Sequence, residues 1–267
     1  MVVYARYEYP NKSQLLDEHL VGVRYKLEKI LRAQPNAHVI HNLAKHIRSS
    51  EVESEILEAA GVAAVFHDIG KAFHYYQEQE ESISKGGRKY MSFKFHEIIS
   101  ANLYVQTILE YRRRNGQYPY KQTWLINLAL QAIILHHQGL RAITIEHLYN
   151  DRQINNIISY DHAKSIENIK KVIHKMYENT NINLGLEKIL LDILYEKADY
   201  IVKMYDPERI MHFYDLKSPV HVQISRLATG CLMIADSWDA YQKVGGRTSR
   251  YIREVVVNYL NTLKLLS

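Results

Sequence analysis

The run from His67 to Lys71 places two metal-binding residue types side by side, followed by an isoleucine, a glycine and a lysine. Histidine and aspartate both bind divalent metals, and adjacency lets both approach one small volume. The apolar residues from Gly61 to Phe66 predict a helix that buries the pair at its end. Buried imidazoles and carboxylates need a metal or hydrogen bonds as compensation. The structural alternative is a plain helix end, with Gly70 as the cap and Lys71 facing the helix dipole.

Further histidines and aspartates fall on apolar helix faces or at the ends of apolar segments. A single histidine in such a place is more often a hydrogen-bonded core residue than a ligand. Two adjacent imidazoles at a helix end seldom both find structural partners, however, and an aspartate in an apolar turn needs a cation or donors. Together these residues favour one polynuclear metal site. The candidate ligands are His19, His67, Asp68, His96, His136, His137 and Asp236.

Two of these assignments have competitors in the sequence. Asp239 lies about one helical turn after Asp236 and could replace it as the distal ligand. His38 and His41 compete with His19 for the first position. Spacing alone leaves both choices open, and it also leaves open whether His19 binds a metal directly or orients another ligand.

Composition predicts a globular protein in a reducing compartment. The 267 residues are 47% hydrophobic, enough for one large core. Cys231 is the single cysteine, which excludes an internal disulfide. No apolar stretch approaches a membrane span, and Met1 to Pro10 lacks a signal-peptide core. We therefore expect a cytoplasmic protein without membrane contact, whose net charge of +5 mildly favours polyanions.

The spacing of apolar residues predicts an all-α fold in a single domain over residues 1–267. No alternating strand of any length, repeat or low-complexity tract is evident. Residues 75–94 break the helical pattern with acidic and then basic, glycine-containing runs, and this predicts a mobile loop near the site. Predicted helices cover residues 14–31, from about 35 to 47, 51–66, 95–114, 122–137, about 143–159, 163–177, 184–205, 219–242 and 248–266.

Five short motifs occur in a fixed order between Leu15 and Ser237. They are Leu15-Leu16-Asp17-Glu18-His19-Leu20, His67-Asp68-Ile69-Gly70-Lys71, Phe95-His96-Glu97-Ile98-Ile99-Ser100-Ala101, His136-His137-Gln138-Gly139 and Ala235-Asp236-Ser237. The histidine, the His-Asp pair and the distal aspartate resemble the signature of the HD superfamily of metal-dependent phosphohydrolases. The whole series is similar to the HD nuclease of type I CRISPR interference, in the version made as a stand-alone subunit without its helicase. Gln138 is a departure, since that family often has glycine directly after the double histidine.

The resemblance implies an HD-domain helical bundle with the metal site in its core. It implies a divalent-metal-dependent deoxyribonuclease that cleaves single-stranded DNA, the displaced target strand, in antiviral defence. Two metal ions would activate a water and neutralise the phosphate, with Asp68 bridging them, Lys71 facing the developing charge and Glu97 orienting an imidazole. Manganese, magnesium, nickel, cobalt and iron remain open as the metal. RNA and duplex DNA remain open as further substrates.

The resemblance also implies partners. The chain has no GxxxxGK phosphate loop, so a separate CRISPR helicase subunit and an RNA-guided surveillance complex would deliver the strand. For nucleic-acid contact we expect two basic groups and nearby tyrosines, although solvated charge runs are the alternative. These residues are Lys85, Arg88, Lys89, Lys94, Arg112, Arg113, Arg114, Tyr75, Tyr76 and Tyr90.

Two other functions remain open. An HD-family nucleotide or cyclic-nucleotide phosphohydrolase shares the His-Asp skeleton, but not the His-Glu-x-x-Ser-Ala run and usually not these extra histidines. A helical adaptor with structural histidines would be no enzyme and would bind no metal.

Overall fold

A computed structural model describes residues 2–8, 12–47, 51–87, 89–137, 145–179, 185–197, 205–244 and 250–266. These residues form a bundle of α-helices with one short β-hairpin at its N-terminal end. The predicted all-α fold is confirmed, and six of the seven candidate ligands are buried, while His137 is partly exposed. In the described ranges, no helix combines the length and the apolar character needed to cross a membrane.

The described elements follow the chain in a simple order. The hairpin strands are β1 (Tyr4–Glu8) and β2 (Lys12–Leu15). The first helices are α1 (Leu16–Arg32), α2 (Gln34–Ala44) and α3 (Val52–Phe66), followed by a 3-10 turn (Ile69–Ala72). Then come α4 (His74–Gln77), α5 (Gln79–Ser84), α6 (His96–Asn115), α7 (Trp124–Leu135), α8 (Ile145–Leu148), α9 (Asp151–Ser159), α10 (His162–Asn179), α11 (Gly185–Glu196), α12 (Pro207–His212), α13 (Pro219–Val244) and α14 (Arg250–Thr262).

Helices α1, α3, α7 and α13 form the centre of the bundle, where α1 and α7 each pack against both α3 and α13. Helix α1 buries a stripe at helical spacing that includes Leu16, Leu20, Val23 and Leu27. Helix α7 packs against α3, α6 and α13, and it is accordingly apolar on nearly all sides. Because α6 packs against both α7 and the 3-10 turn, its first residues lie next to the end of α3.

The β-hairpin departs from the sequence prediction, which had no strand. Strands β1 and β2 pair antiparallel, with Arg6 opposite Gln14 and Glu8 opposite Lys12. Ala5 and Gln14 face the protein interior, and β1 packs against α1 and the 3-10 turn. Strands of five and four residues are too short for a period of two to be distinguished from chance. Helix α1 consequently begins at Leu16, two residues later than predicted.

The prediction of a mobile loop over residues 75–94 is wrong for its first half, which forms α4 and α5. Tyr76 is fully buried, and its hydroxyl donates to the carbonyl of Lys94. The Gln77 amide bonds both backbone groups of Tyr4 and the carbonyl of Lys71, which ties α4 to the hairpin and to the 3-10 turn. Among the charged residues that suggested a loop, Glu78, Glu81, Lys85 and Lys89 are exposed.

Most of the other predicted helices agree with the structure to within a few residues wherever the chain is described. The helix predicted from about 143 to 159 is instead two helices, α8 and α9, which Tyr149 and Asn150 separate, and α12 was not predicted. Helix α6 ends at Asn115, one residue after the predicted end, and Gly116 caps it with a left-handed φ of 73°. Several predicted features lie outside the described residues: Arg88, Gln138 and Gly139, and the parts of predicted helices at residues 143–144, 184, 198–204 and 248–249.

Candidate metal centre

The carboxylate of Asp68 lies at the centre of the candidate site. Helix α3 ends at Phe66, and both His67 and Asp68 have no exposed surface. The two oxygens of Asp68 face different neighbours. His96 Nε2 and His136 Nε2 lie 2.8 Å and 3.4 Å from Oδ1. His19 Nε2 and His67 Nε2 lie 3.2 Å and 3.5 Å from Oδ2.

All seven sequence candidates come together in two groups that share Asp68. In each group, one ligand atom from every residue lies within 4.8 Å of the others. This division gives each oxygen of the shared carboxylate its own set of imidazoles. The first group is Asp68, His96, His136 and His137, and the second is His19, His67, Asp68 and Asp236.

Three of the imidazoles are oriented by the same type of local hydrogen bond. The Nδ1 atoms of His67, His96 and His136 each donate to a backbone carbonyl three residues earlier. Because the proton is assigned to Nδ1 by these bonds, Nε2 carries a lone pair directed at the centre. The acceptors are the carbonyls of Ala64, Phe93 and Ile133.

The donor set fits divalent cations. His67 Nε2, His136 Nε2 and Asp68 Oδ1 are buried and have no hydrogen-bond partner. Lone pairs on nitrogen and oxygen therefore face one another in a dry environment, which is unfavourable unless a cation lies between them. Mixed imidazole and carboxylate donors suit manganese, iron, cobalt or nickel better than calcium.

Asp236 and Asp239 have different positions relative to His19. The Nε2 atom of His19 lies 3.2 Å from Asp236 Oδ1, whereas its Nδ1 donates to Asp239 Oδ2 over 2.8 Å. Asp239 also accepts from Lys26 Nζ at 2.6 Å and from Gln14 Nε2 at 2.5 Å. The geometry therefore places Asp236 with the candidate ligands and Asp239 behind His19, where it orients the ring.

His38 and His41, the competitors of His19, lie away from this centre on the exposed part of α2. His38 Nε2 bonds Asn42, and His41 Nδ1 lies 2.7 Å from Glu53 Oε1. Neither histidine belongs to either group of potential ligands.

The charges of the centre are balanced around His19. Burial acts to lower the pKa of His19, but hydrogen bonds to Asp236, Asp239 and Asp68 outweigh burial and raise this pKa to about 10. Burial lowers the pKa of His67 to about 3, so this ring is neutral. Without a metal, the protonated His19 thus supplies a positive charge between the carboxylates. Binding of a cation to its Nε2 has to release that proton.

Close backbone approaches explain two small residues of the sequence motifs. A Cβ on Gly70 would lie 2.4 Å from the carbonyl oxygen of His96, and the Gly70 N–H donates to Ser100 Oγ over 2.9 Å. Phe95, with a left-handed φ of 69° that is strained for a bulky residue, turns the chain into α6 at this point. Gly70 and Ser100 therefore join the end of α3 to the start of α6 and fix His96 beside Asp68.

Lys71 and Glu97 contact the centre from its edge. Lys71 is buried in the 3-10 turn, its ammonium bonds Asp68 Oδ2, and Nζ lies 5.2 Å from the centre of the Phe93 ring. This contact with Asp68 differs from the helix-cap alternative. Glu97 Oε2 lies 3.1 Å from His96 Nδ1, on the side of the ring that faces away from Asp68.

Sequence reasoning missed the charged and polar residues that support the ligands. Arg6 on β1 contacts Asp236, with 3.2 Å between Nη2 and Oδ1, while Gln14 and Lys26 hold Asp239. None of the three belongs to a recognisable motif. A lysine on the inward face of α1 was the one available signal, since Lys26 follows Val23 by three residues and is buried with it.

Comparison with protein families supports this picture. A family model described as HD domain matches residues 16–204. The matched region contains six of the candidate ligands, and Asp236 lies beyond its end. Comparisons with curated proteins and with solved structures found no match.

The first prediction concerns metal-dependent stability. Mn²⁺ at about a hundred times its Kd should raise the free energy of unfolding by about 2.7 kcal/mol for one site, measured as an increase in Tm. Asp68→Asn should abolish this increase, because the two ligand groups lose the negative charge and one of the two oxygens of the carboxylate that they share. Glu28→Gln, an exposed carboxylate paired with Arg32, is the control and should keep the full increase. An equal Mn²⁺ response in Asp68→Asn would contradict the assignment.

The second prediction concerns the contact between Gly70 and α6. Gly70→Ala should destabilise the protein by about 1–3 kcal/mol and reduce the Mn²⁺-induced shift in Tm, because the new methyl group displaces His96. Gly230→Ala is the matched control, since a Cβ there meets no atom within 4 Å. It should be neutral or stabilise α13 by up to about 1 kcal/mol. Equal effects of the two substitutions would refute a special role for Gly70.

Proposed function

The chain belongs to the HD domain family, and we propose that it is a metal-dependent nuclease that cleaves the phosphodiester bonds of single-stranded DNA. The family match indicates a metal-dependent phosphohydrolase. The observation that carries the proposal is the pair of ligand groups around one shared carboxylate, that of Asp68. Two metal sites joined by a carboxylate suit the in-line displacement at phosphorus that nucleases catalyse.

The residues of the chain have distinct roles in this proposal. Divalent cations bound to the two groups would lower the pKa of a water and neutralise charge on the phosphoryl oxygens. Asp68 offers one oxygen to each group, and Asp236 adds a carboxylate to the second. Asp239 keeps His19 Nδ1 protonated, so that Nε2 can bind once its proton leaves. Lys71 brings an ammonium to the same carboxylate, where it can stabilise negative charge that develops on the phosphate.

A cleft beside the start of α6 offers a surface for unpaired bases. It has a volume of about 930 Å³, and its lining includes Phe95, the residue before His96. Tyr75 and Tyr160 line it with 44% and 40% of their surface exposed, and their ring centres lie 5.9 Å apart. Lys94 lies over the Phe95 ring and adds a positive charge. Exposed aromatic rings beside a cation are typical of sites that bind single strands.

Two acidic residues that line the cleft already have partners. Glu81 Oε1 lies 2.5 Å from Lys85 Nζ, and Glu78 accepts from the hydroxyl of Tyr160. Their charge is thus partly satisfied within the protein. The cleft therefore presents the tyrosine rings and Lys94 more than it presents free carboxylates.

Other tyrosines and arginines expected at the nucleic acid are less suited to contact it. Tyr76 is 1% exposed, whereas Tyr90 is 60% exposed but does not line the cleft, and its backbone pairs with that of Glu8 beside the hairpin. Arg113 and Arg114 are bound by Glu110, which favours a structural role. They also follow His96 by more than four turns of α6, or about 25 Å along its axis.

The proposal includes partners of defined chemistry. The sequence has no GxxxxGK phosphate loop, and we propose a separate helicase subunit as the partner that unwinds the substrate. We also propose that an RNA-guided surveillance complex exposes the DNA strand, as in type I CRISPR interference. A nucleotide or cyclic-nucleotide phosphohydrolase is the second candidate, because a cleft of about 930 Å³ could also hold a mononucleotide.

The third prediction separates the two candidates. The protein with Mn²⁺ should cleave end-labelled single-stranded DNA and leave a panel of nucleotides and cyclic nucleotides intact. Asp68→Ala should lower cleavage by at least about a hundredfold with an unchanged circular dichroism spectrum, and Glu28→Gln should retain it. Hydrolysis of nucleotides without strand cleavage would favour the phosphohydrolase. Full activity of Asp68→Ala would exclude this centre as the active site.

The fourth prediction concerns the cleft. Tyr160→Ala should weaken the binding of a labelled oligodeoxynucleotide by about 1–3 kcal/mol, measured by fluorescence anisotropy with a chelator present to prevent cleavage. Tyr160→Phe keeps the ring and should retain affinity. Tyr25→Ala removes a more exposed tyrosine, on α1 and outside the cleft, and should have no effect. A loss of affinity in Tyr160→Phe as large as that in Tyr160→Ala would exclude stacking as the cause.

A further inference from the structure

We infer that Arg6 binds a phosphoryl oxygen of the substrate when cations occupy the centre and take over its present partner, Asp236. The inference rests on the proposed metal-dependent phosphohydrolase activity, but not on the choice of DNA as the substrate. Arg6 lies on β1, outside every motif in the sequence, and outside the family match.

Arg6 connects the buried centre to solvent. Its Nη2 lies 3.2 Å from Asp236 Oδ1, and its side chain is 35% exposed although the Asp236 side chain is 6% exposed. The guanidinium has five N–H donors, and its Nε is buried with no hydrogen-bond partner. Arg6 therefore reaches a candidate metal ligand and still has donors to offer.

The partner of Arg6 is the atom that a cation would engage. Asp236 Oδ1 also lies 3.2 Å from His19 Nε2, within the second ligand group. A cation in that group would draw the negative charge of Asp236 toward itself and weaken the attraction on Arg6. A phosphate held at the same cation would then present its oxygens within reach of the guanidinium. Arginine suits this exchange because its planar fork matches both carboxylate and phosphate oxygens.

Two lysine side chains also contact the aspartates of the centre, and they are less accessible to a substrate than Arg6. Lys71 is 4% exposed and bonded to Asp68. Lys26 is 9% exposed, and its ammonium lies 2.6 Å from Asp239. Among these three, Arg6 has the most solvent access and is the one most open to an incoming anion.

The hairpin holds Arg6 in register with the two aspartates of α13. Arg6 is paired across the strands with Gln14, whose side chain bonds Asp239. Arg6 thus reaches Asp236 while its cross-strand neighbour reaches the aspartate three residues later. The hairpin is also tied to α4 through both bonds from Gln77 to the backbone of Tyr4. This anchoring allows a small strand pair to position a guanidinium at the centre.

The experiment measures metal and phosphate binding separately, by titration calorimetry on the full chain. Arg6→Ala should bind Mn²⁺ as tightly as wild type or more tightly, because a competitor for Asp236 is gone. The Mn²⁺-loaded variant should bind inorganic phosphate about tenfold or more weakly than wild type. Arg6→Lys keeps the positive charge but not the planar guanidinium. Its affinity for phosphate should lie between those of wild type and Arg6→Ala. Lys12→Ala removes the same charge from the exposed end of the hairpin and should leave phosphate binding unchanged.

The outcomes distinguish this inference from the proposed function. Unchanged phosphate affinity in Arg6→Ala would overturn the inference, as would weaker Mn²⁺ binding with normal phosphate affinity. The latter result would make Arg6 a purely structural partner of Asp236. Arg6-dependent phosphate binding by a wild-type protein that cleaves no DNA would support the inference and refute the nuclease. In the loaded enzyme, with whichever substrate it hydrolyses, Arg6→Ala should raise KM more than it lowers kcat.

Discussion

The burial of one carboxylate among imidazole lone pairs is the constraint on which the rest of the structure depends. Asp68 has no exposed surface, and the rings of His67, His96 and His136 are fixed so that their Nε2 atoms face it. Backbone carbonyls hold these tautomers within each local turn. Such a centre is electrostatically incomplete without positive charge. In the metal-free protein, His19 and Lys71 supply it.

The fold can be understood as a means of bringing five chain segments to this carboxylate. Helices α1, α6 and α13 contribute His19, His96 and Asp236, while the ends of α3 and α7 contribute the two histidine-containing pairs. The close packing of Gly70 against the start of α6 sets one of these distances. Gly22 sets another in the same way, because a Cβ there would lie 2.2 Å from Asp239 Oδ1. A larger residue would clash at both positions, because atoms of a neighbouring helix occupy the space that its side chain would need.

The supporting residues suggest how binding of metal and substrate are connected. Asp236 contacts both His19 and Arg6, so a change in the charge beside His19 alters the attraction between Asp236 and Arg6. Release of a proton from His19 and exchange of the partner of Arg6 would both accompany cation binding. The tyrosine-lined cleft beside Phe95 gives the proposed strand a second contact near the same centre. Substrate recognition and metal chemistry would then meet at the N-terminal end of α6.

The sequence by itself determined the helical fold and the identity of the candidate ligands. Apolar spacing located the long helices, and the His-Asp pair, the double histidine and the distal aspartate stood out because such residues are rarely buried without partners. It did not determine the choice between Asp236 and Asp239, which depended on the side of the His19 ring that each carboxylate faces. It also missed the hairpin, the helices α4, α5 and α12, and Arg6. Such short strands and helices depend on contacts with distant segments, such as Gln77 with Tyr4, and leave little periodic signal of their own. Only tertiary packing decided these features. The spacing of apolar residues in a segment indicates which of its faces is buried, but it does not indicate which residue of another segment packs against that face.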